Sequence, residues 1–107
     1  MADFRVDRYV VDALLPDLIG HDHRPSAFIV YLVLWARTRA GRSRRVTCSY
    51  QDMASDTGLG KRTVQIAVRH LARRKLISMR QTTPTATPEY EVLMPWRRPV
   101  PSASPKR

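Results

Sequence analysis

Between Ser49 and Ile77 the chain reads SYQDMASDTGLGKRTVQIAVRHLARRKLI, two short helical patterns parted by only Gly58-Leu59-Gly60. So short a break fixes the angle between the two helices and limits the folds open to the rest of the chain. Ser49 is a good N-cap, and Asp52 three residues on resembles a capping box and complements the helix dipole. The helix so started spans Tyr50 to Thr57, with Met53 and Ala54 inward. Gly58 supplies the positive φ of a tight exit, Leu59 plugs the turn and Gly60 caps the next helix. There Val64, Ala67, Val68 and Leu71 follow i, i+3, i+4, i+7 and define a buried stripe. Lys61, Arg62, Gln65, Arg69 and Arg73 fall on other faces.

Upstream, Val10, Leu14 and Leu18 lie four apart and share a helical face. A short helix from about Asp7 to Leu14 is expected, with Pro16 discouraging continuation. Pro25 opens the next helix, which runs to Ala40 and stops at Gly41. Its run Ala27 to Ala36 is apolar on all sides and must be covered on more than one. The helix pair takes one side; the N-terminal segment and a homodimer partner are expected to share the rest. Val46-Thr47-Cys48 is β-prone and reads as an edge strand. Leu76 to Gln81 and Glu89 to Met94 read as two strands of a hairpin around the turn-rich spacer Thr82 to Pro88. From Pro95 the chain is Pro-rich and basic, and its last residues are expected to be disordered. The expected organisation is an N-terminal extension over 1–24, a domain over 25–96 and a basic Pro-rich tail over 97–107.

The formal charge is +10, and its distribution narrows the choice of partner. From Arg37 to Arg80 there are twelve Lys or Arg against two acids, Asp52 and Asp56. From Met1 to Pro25 three Arg face five Asp. The excess is centred on the two-helix motif, and nucleic acid is the first partner to consider. An anionic membrane surface or an acidic protein are the alternatives. The single cysteine, Cys48, excludes an internal disulfide and fits a reducing cytoplasm. The longest apolar run is ten residues, against the ~20 of a membrane span, and no signal peptide is visible. His21-Asp22-His23 makes a poor metal site, because Cys48 is alone and His70 lies on a far helix. No nucleophile motif, phosphate loop or paired carboxylates suggest an enzyme, and no cofactor is expected. Trp35 and Trp96 read as core and domain-edge packing.

Helix, short strand, helix, turn, helix, hairpin is the order of a winged helix-turn-helix domain. The stretch over residues 26 to 94 resembles the core of bacterial winged helix regulators, including the GntR-type DNA-binding domains. The resemblance is carried by Ala54, Gly58-Leu59, Thr63-Val64, Ala67, Leu71 and Leu76-Ile77. It implies a mainly α fold with a small β-hairpin, a three-helix core plus wing, joined here by an extra N-terminal helical segment. Two departures stand out. Such domains usually carry Ser at the position of Gly60. Ile66 stands where a polar or charged residue is common, either to touch a thymine methyl or to pack on a neighbour. GntR-type proteins also carry an effector domain after the wing; neither that domain nor a small-molecule effector is expected here.

In this family the first turn of the second helix enters the major groove. The resemblance therefore makes Lys61, Arg62 and Gln65 the candidates for base contact, with Arg62 suited to guanine and Gln65 to adenine. Ser49, Tyr50, Gln51, Thr63, Arg69, Arg73, Arg74 and Arg80 are the candidates for the DNA backbone. The tip Thr82 to Pro88 has no cation and either enters the minor groove or touches phosphate through its threonines. Arg42, Arg44 and Arg45 read as a solvated loop. The function implied is sequence-specific binding of double-stranded DNA by a cytoplasmic, nucleoid-associated transcriptional regulator that acts by site occupancy. The alternatives are a plasmid or mobile-element replication or partition factor, or a winged-helix protein-interaction module that does not bind DNA.

Overall fold

Local capping chemistry starts the central helix pair where the sequence predicts it. In the computed structural model, which describes residues 5–40 and 44–97, Ser49 Oγ accepts a hydrogen bond from Asp52 N–H at 3.0 Å. The Asp52 carboxylate accepts one from Ser49 N–H at 3.3 Å. The capping box opens α2 (Tyr50–Thr57), and Gly58 closes it at φ 79° while donating its N–H to Ala54 O. Thr57 Oγ1 donates to Met53 O at 2.7 Å and accepts from Leu59 N–H at 3.1 Å, which locks the turn. Gly60 then caps α3 (Lys61–Arg73). Val64, Ala67, Val68 and Leu71 are all buried, as their spacing predicts.

α3 ends in a Schellman motif: Lys75 N–H donates to Ala72 O and Leu76 N–H to Leu71 O, both at 3.0 Å. Lys75 takes the left-handed conformation at φ 59°, the place glycine usually fills. A side chain there costs about 1 kcal/mol, and burial of Leu76 over the end of the helix offsets it.

α1 (Pro25–Ala40) has the expected bounds and lies against α2, α3, the sheet and the N-terminal segment. Within its apolar run Ala27, Phe28, Val30, Tyr31, Leu34 and Trp35 are buried, Leu32, Val33 and Ala36 half-buried, and Ile29 exposed. One copy of the chain therefore covers most of this helix, and the apolar run gives no reason for a second subunit. The expected stop at Gly41, the loop residue Arg42 and all of the expected tail 97–107 except Arg97, which pairs with Asp7, lie outside the described residues.

The N-terminal segment departs from expectation. It stays helical past Leu14 to His21, wound as a π-helix over Val10–Leu14 and Pro16–His21. Leu15 N–H donates to Val10 O and Asp22 N–H to Asp17 O, both i→i+5. Pro16 is tolerated because it opens the second stretch, where its missing N–H is not needed. Val10, Leu14 and Leu18 are buried in the same core as α1 and α3.

Among the described residues three short strands form one antiparallel sheet: β1 (Arg45–Thr47), β2 (Ile77–Arg80) and β3 (Glu89–Val92). Their order is β1-β3-β2, with Arg45 opposite Glu91 and Ile77 opposite Val92. β1 is an edge strand, as expected, but it joins the free side of β3, a pairing invisible in the local pattern. Tyr31 Oη ties α1 to the sheet by donating to Leu93 O at 2.9 Å. Both ends of the described chain meet at a stack of rings. Trp96 lies between Tyr9, at 4.7 Å, and Trp35, at 6.3 Å. Asp7 accepts from Trp96 Nε1 at 2.9 Å and pairs with Arg97.

Candidate nucleic-acid interface

The buried stripe of α3 divides the remainder of that helix into three faces. Opposite the stripe, pointing away from the core, are Arg62, Ile66, Arg69 and Arg73, spaced i, i+4, i+7, i+11 and all exposed. On one flank lie Lys61 and Gln65, one turn apart; Lys61 is exposed and Gln65 half-buried. On the other flank lie Thr63, His70 and Arg74, spaced i, i+7, i+11.

Ion pairing follows these faces. Among the described residues no ion pair involves Lys61, Arg62, Arg69 or Arg73. The other flank is saturated. His70 Nε2 lies 2.7 Å from Asp22 Oδ2, and Arg74 pairs with Asp17 and, at 3.4 Å, with Asp22. The Asp22 side chain is 8% exposed and also meets His21 Nδ1 at 2.9 Å. The hydrogen bond from His21 first, and that from His70 second, hold its carboxyl below the usual carboxylate range. This cluster fastens the N-terminal segment to α3. The separation of His70 from His21 and Asp22 along the chain hid it from the sequence, which placed His70 far away. Asp17, His21 and Asp22 each offer a ligand atom within 4.8 Å of the others. The Arg74 guanidinium already occupies two of those carboxylates, which disfavours a cation there.

A second feature lies between the start of α2 and the hairpin. Ser49, Tyr50, Gln51 and Lys61 line a groove of about 320 Å³ whose far wall is Gln81 and residues 84–88 of the hairpin tip. Four residues chosen from sequence thus converge from the two helix starts, and the tip supplies the wall that sequence did not place. The tip is braced from within: Gln81 Nε2 donates to Ala86 O at 2.7 Å, and Ala86 N–H donates to Thr83 O at 3.1 Å. At the start of α2 the capping box already takes the Asp52 N–H and sets the Asp52 carboxylate at the positive end of the dipole, so it is the Lys61 ammonium and the polar atoms of Ser49, Tyr50 and Gln51 that this groove offers an anion. Beneath it Tyr90 is fully buried with no hydrogen-bond partner for its hydroxyl. Burial first, and the neighbouring Tyr50 phenol second, push the Tyr90 phenol up, so it stays neutral.

The remaining candidates are placed differently. Arg80 pairs with Glu89 at 2.8 Å on the outer face of the sheet, beside Arg45 and Glu91. Thr63 is exposed but lies on the flank turned toward the N-terminal segment, away from the groove. No helix among the described residues is long and apolar enough to cross a membrane. No protein-family description, curated protein or solved structure matches the chain.

Proposed function

We propose that the chain is a winged helix-turn-helix protein that binds double-stranded DNA in a sequence-specific manner, as a bacterial transcriptional regulator acting on the nucleoid by site occupancy. The observation that carries this reading is the division of cations on α3. Arg62, Arg69 and Arg73 point outward with no acidic partner among the described residues, while His70 and Arg74, on the same helix, are held by Asp22 and Asp17. Exposed guanidiniums left unpaired over about three turns favour a polyanion as partner.

In this reading α3 enters the major groove and the hairpin is the wing. Arg62 forks onto a guanine edge, and Lys61 and Gln65 approach bases or near-base atoms from the flank. The groove of Ser49, Tyr50, Gln51 and Lys61 takes a phosphate of one strand, and Arg69 and Arg73 hold phosphates of the other. Arg74 and Arg80 act within the protein, as partners of Asp17, Asp22 and Glu89, and are left out of the contact set.

Selection of bound sequences from a random duplex library tests the proposal. Enrichment of one sequence class is expected, and Arg62→Ala relaxes it at one base pair. An unenriched pool, with no retention of any duplex at low salt, overturns it and favours a protein-interaction role.

A further inference from the structure

We infer that Ile66 is a specificity-determining residue that reads the C5 methyl of a thymine within the site contacted by α3; the inference rests on the DNA-binding reading above. Ile66 is 36% exposed, so part of its side chain is free to meet a partner.

Its surroundings are three cations: Arg62 one turn before it, Arg69 one turn after it and Arg73 two turns after it on the same face. The other large exposed hydrophobics, Tyr9, Val11, Leu15, Ile19, Ile29 and Met79, lie on the N-terminal segment, α1 and β2. Ile66 is the one large apolar side chain on the basic face of α3. Helix propensity does not explain it, because β-branched residues are poorer helix formers than the straight-chain residues usual on an exposed face.

The partner must therefore offer an apolar group within a few ångströms of anions or strong acceptors. A purely apolar protein surface fails, since docking it would strip water from three guanidiniums without pairing them. The DNA major groove meets both demands: the thymine methyl lies beside guanine O6 and N7, with phosphates on either rim. The stiffness of an isoleucine at χ1 in a helix also suits the task, because little rotamer freedom is lost on contact. Four residues separate Ile66 from Arg62, a rise of about 6 Å. The methyl read by Ile66 thus belongs to a base pair within about two steps of the guanine read by Arg62.

The test uses the full chain and a duplex taken from the random-library selection. Each thymine is replaced in turn by deoxyuridine, which removes the methyl alone. We expect one replacement to weaken binding about fourfold, the effect of one methyl returned to water. That position falls within two base pairs of the one relaxed by Arg62→Ala. Ile66→Ser binds the thymine and deoxyuridine duplexes equally, while Ile66→Val, which keeps two methyls, retains a preference. Ile66 is exposed, so both variants should melt near the parent temperature. If no thymine replacement weakens binding, or if one weakens the parent and Ile66→Ser alike, the inference is overturned while DNA binding stands. If no duplex is bound at all, both fall together, so the two failures are distinguishable.

Discussion

Both sides of α3 carry arginine, and they treat it in opposite ways. On the flank facing the N-terminal segment, His70 and Arg74 are engaged by Asp22 and Asp17. On the outward face, Arg62, Arg69 and Arg73 have no acid within reach among the described residues. A cation count along the helix would rank Arg73 and Arg74 as equals. Their partners separate them: one fastens an element of the fold, the other is available to a ligand. Net charge marks the basic region, but the pairing of each charge tells which of its cations are left without an acid.

If this division is real, substitutions on the two faces should have separable effects. The largest is expected on the paired flank. Asp22→Asn leaves His70 and Arg74 a single neutral amide oxygen in place of their charged carboxylate and should lower stability by about 2 kcal/mol in denaturant unfolding near neutral pH. The sign of its pH dependence follows from the depressed carboxyl. The contribution of Asp22 is fully present above its ordinary value of 3.8 and is lost as pH falls through the lower folded value. The parent should therefore lose stability on acidification below about pH 4, and Asp22→Asn should lose less over the same range. Equal acid sensitivity in both would place the latch elsewhere.

Next in size is Arg62→Ala, expected to cost roughly tenfold in affinity at one base pair while leaving the melting temperature unchanged. Arg73→Ala should weaken all sequences alike, by a few-fold, and reduce the slope of log K against log salt by about 1. Its neighbour Arg74→Ala should instead lower stability and leave that slope nearly unaltered. If Arg73 and Arg74 behaved identically, the contrast between the two faces would have no functional content. The smallest effect is at the end of α3. Lys75→Gly relieves the left-handed side chain and should raise stability by about 0.5 kcal/mol, provided the lysine has no other task.

Much of the fold was legible because its signals are local. Ser49 with Asp52, Gly58, Gly60 and the Val64-Ala67-Val68-Leu71 stripe all act within a few residues, and the bounds of α1 and α2 follow from Pro25 and from that capping chemistry. What escaped depends on distant pairs. Pro16 locally discourages continuation, but a π-helical winding carries the chain through it. β1 reaches β3 across more than forty residues, and no local pattern names its partner. His70 meets Asp22 from 48 positions away, which turned an isolated His-Asp-His into a latch. The candidate site divides in the same way. Lys61 and Arg62 open α3 and were evident from position and charge. The wall of residues 84–88 opposite Ser49, Tyr50 and Gln51, and the pairing of Arg74 with Asp17 and of Arg80 with Glu89, needed the tertiary structure.

The central claim, that the unpaired face of α3 is a DNA-binding surface, is tested most directly by duplex affinity measured against salt concentration. Contact with about three phosphates, those of the groove, Arg69 and Arg73, predicts a straight line of slope roughly −3 in log K against log salt. A duplex that is not bound even at low salt, or bound with an affinity indifferent to salt, would contradict it.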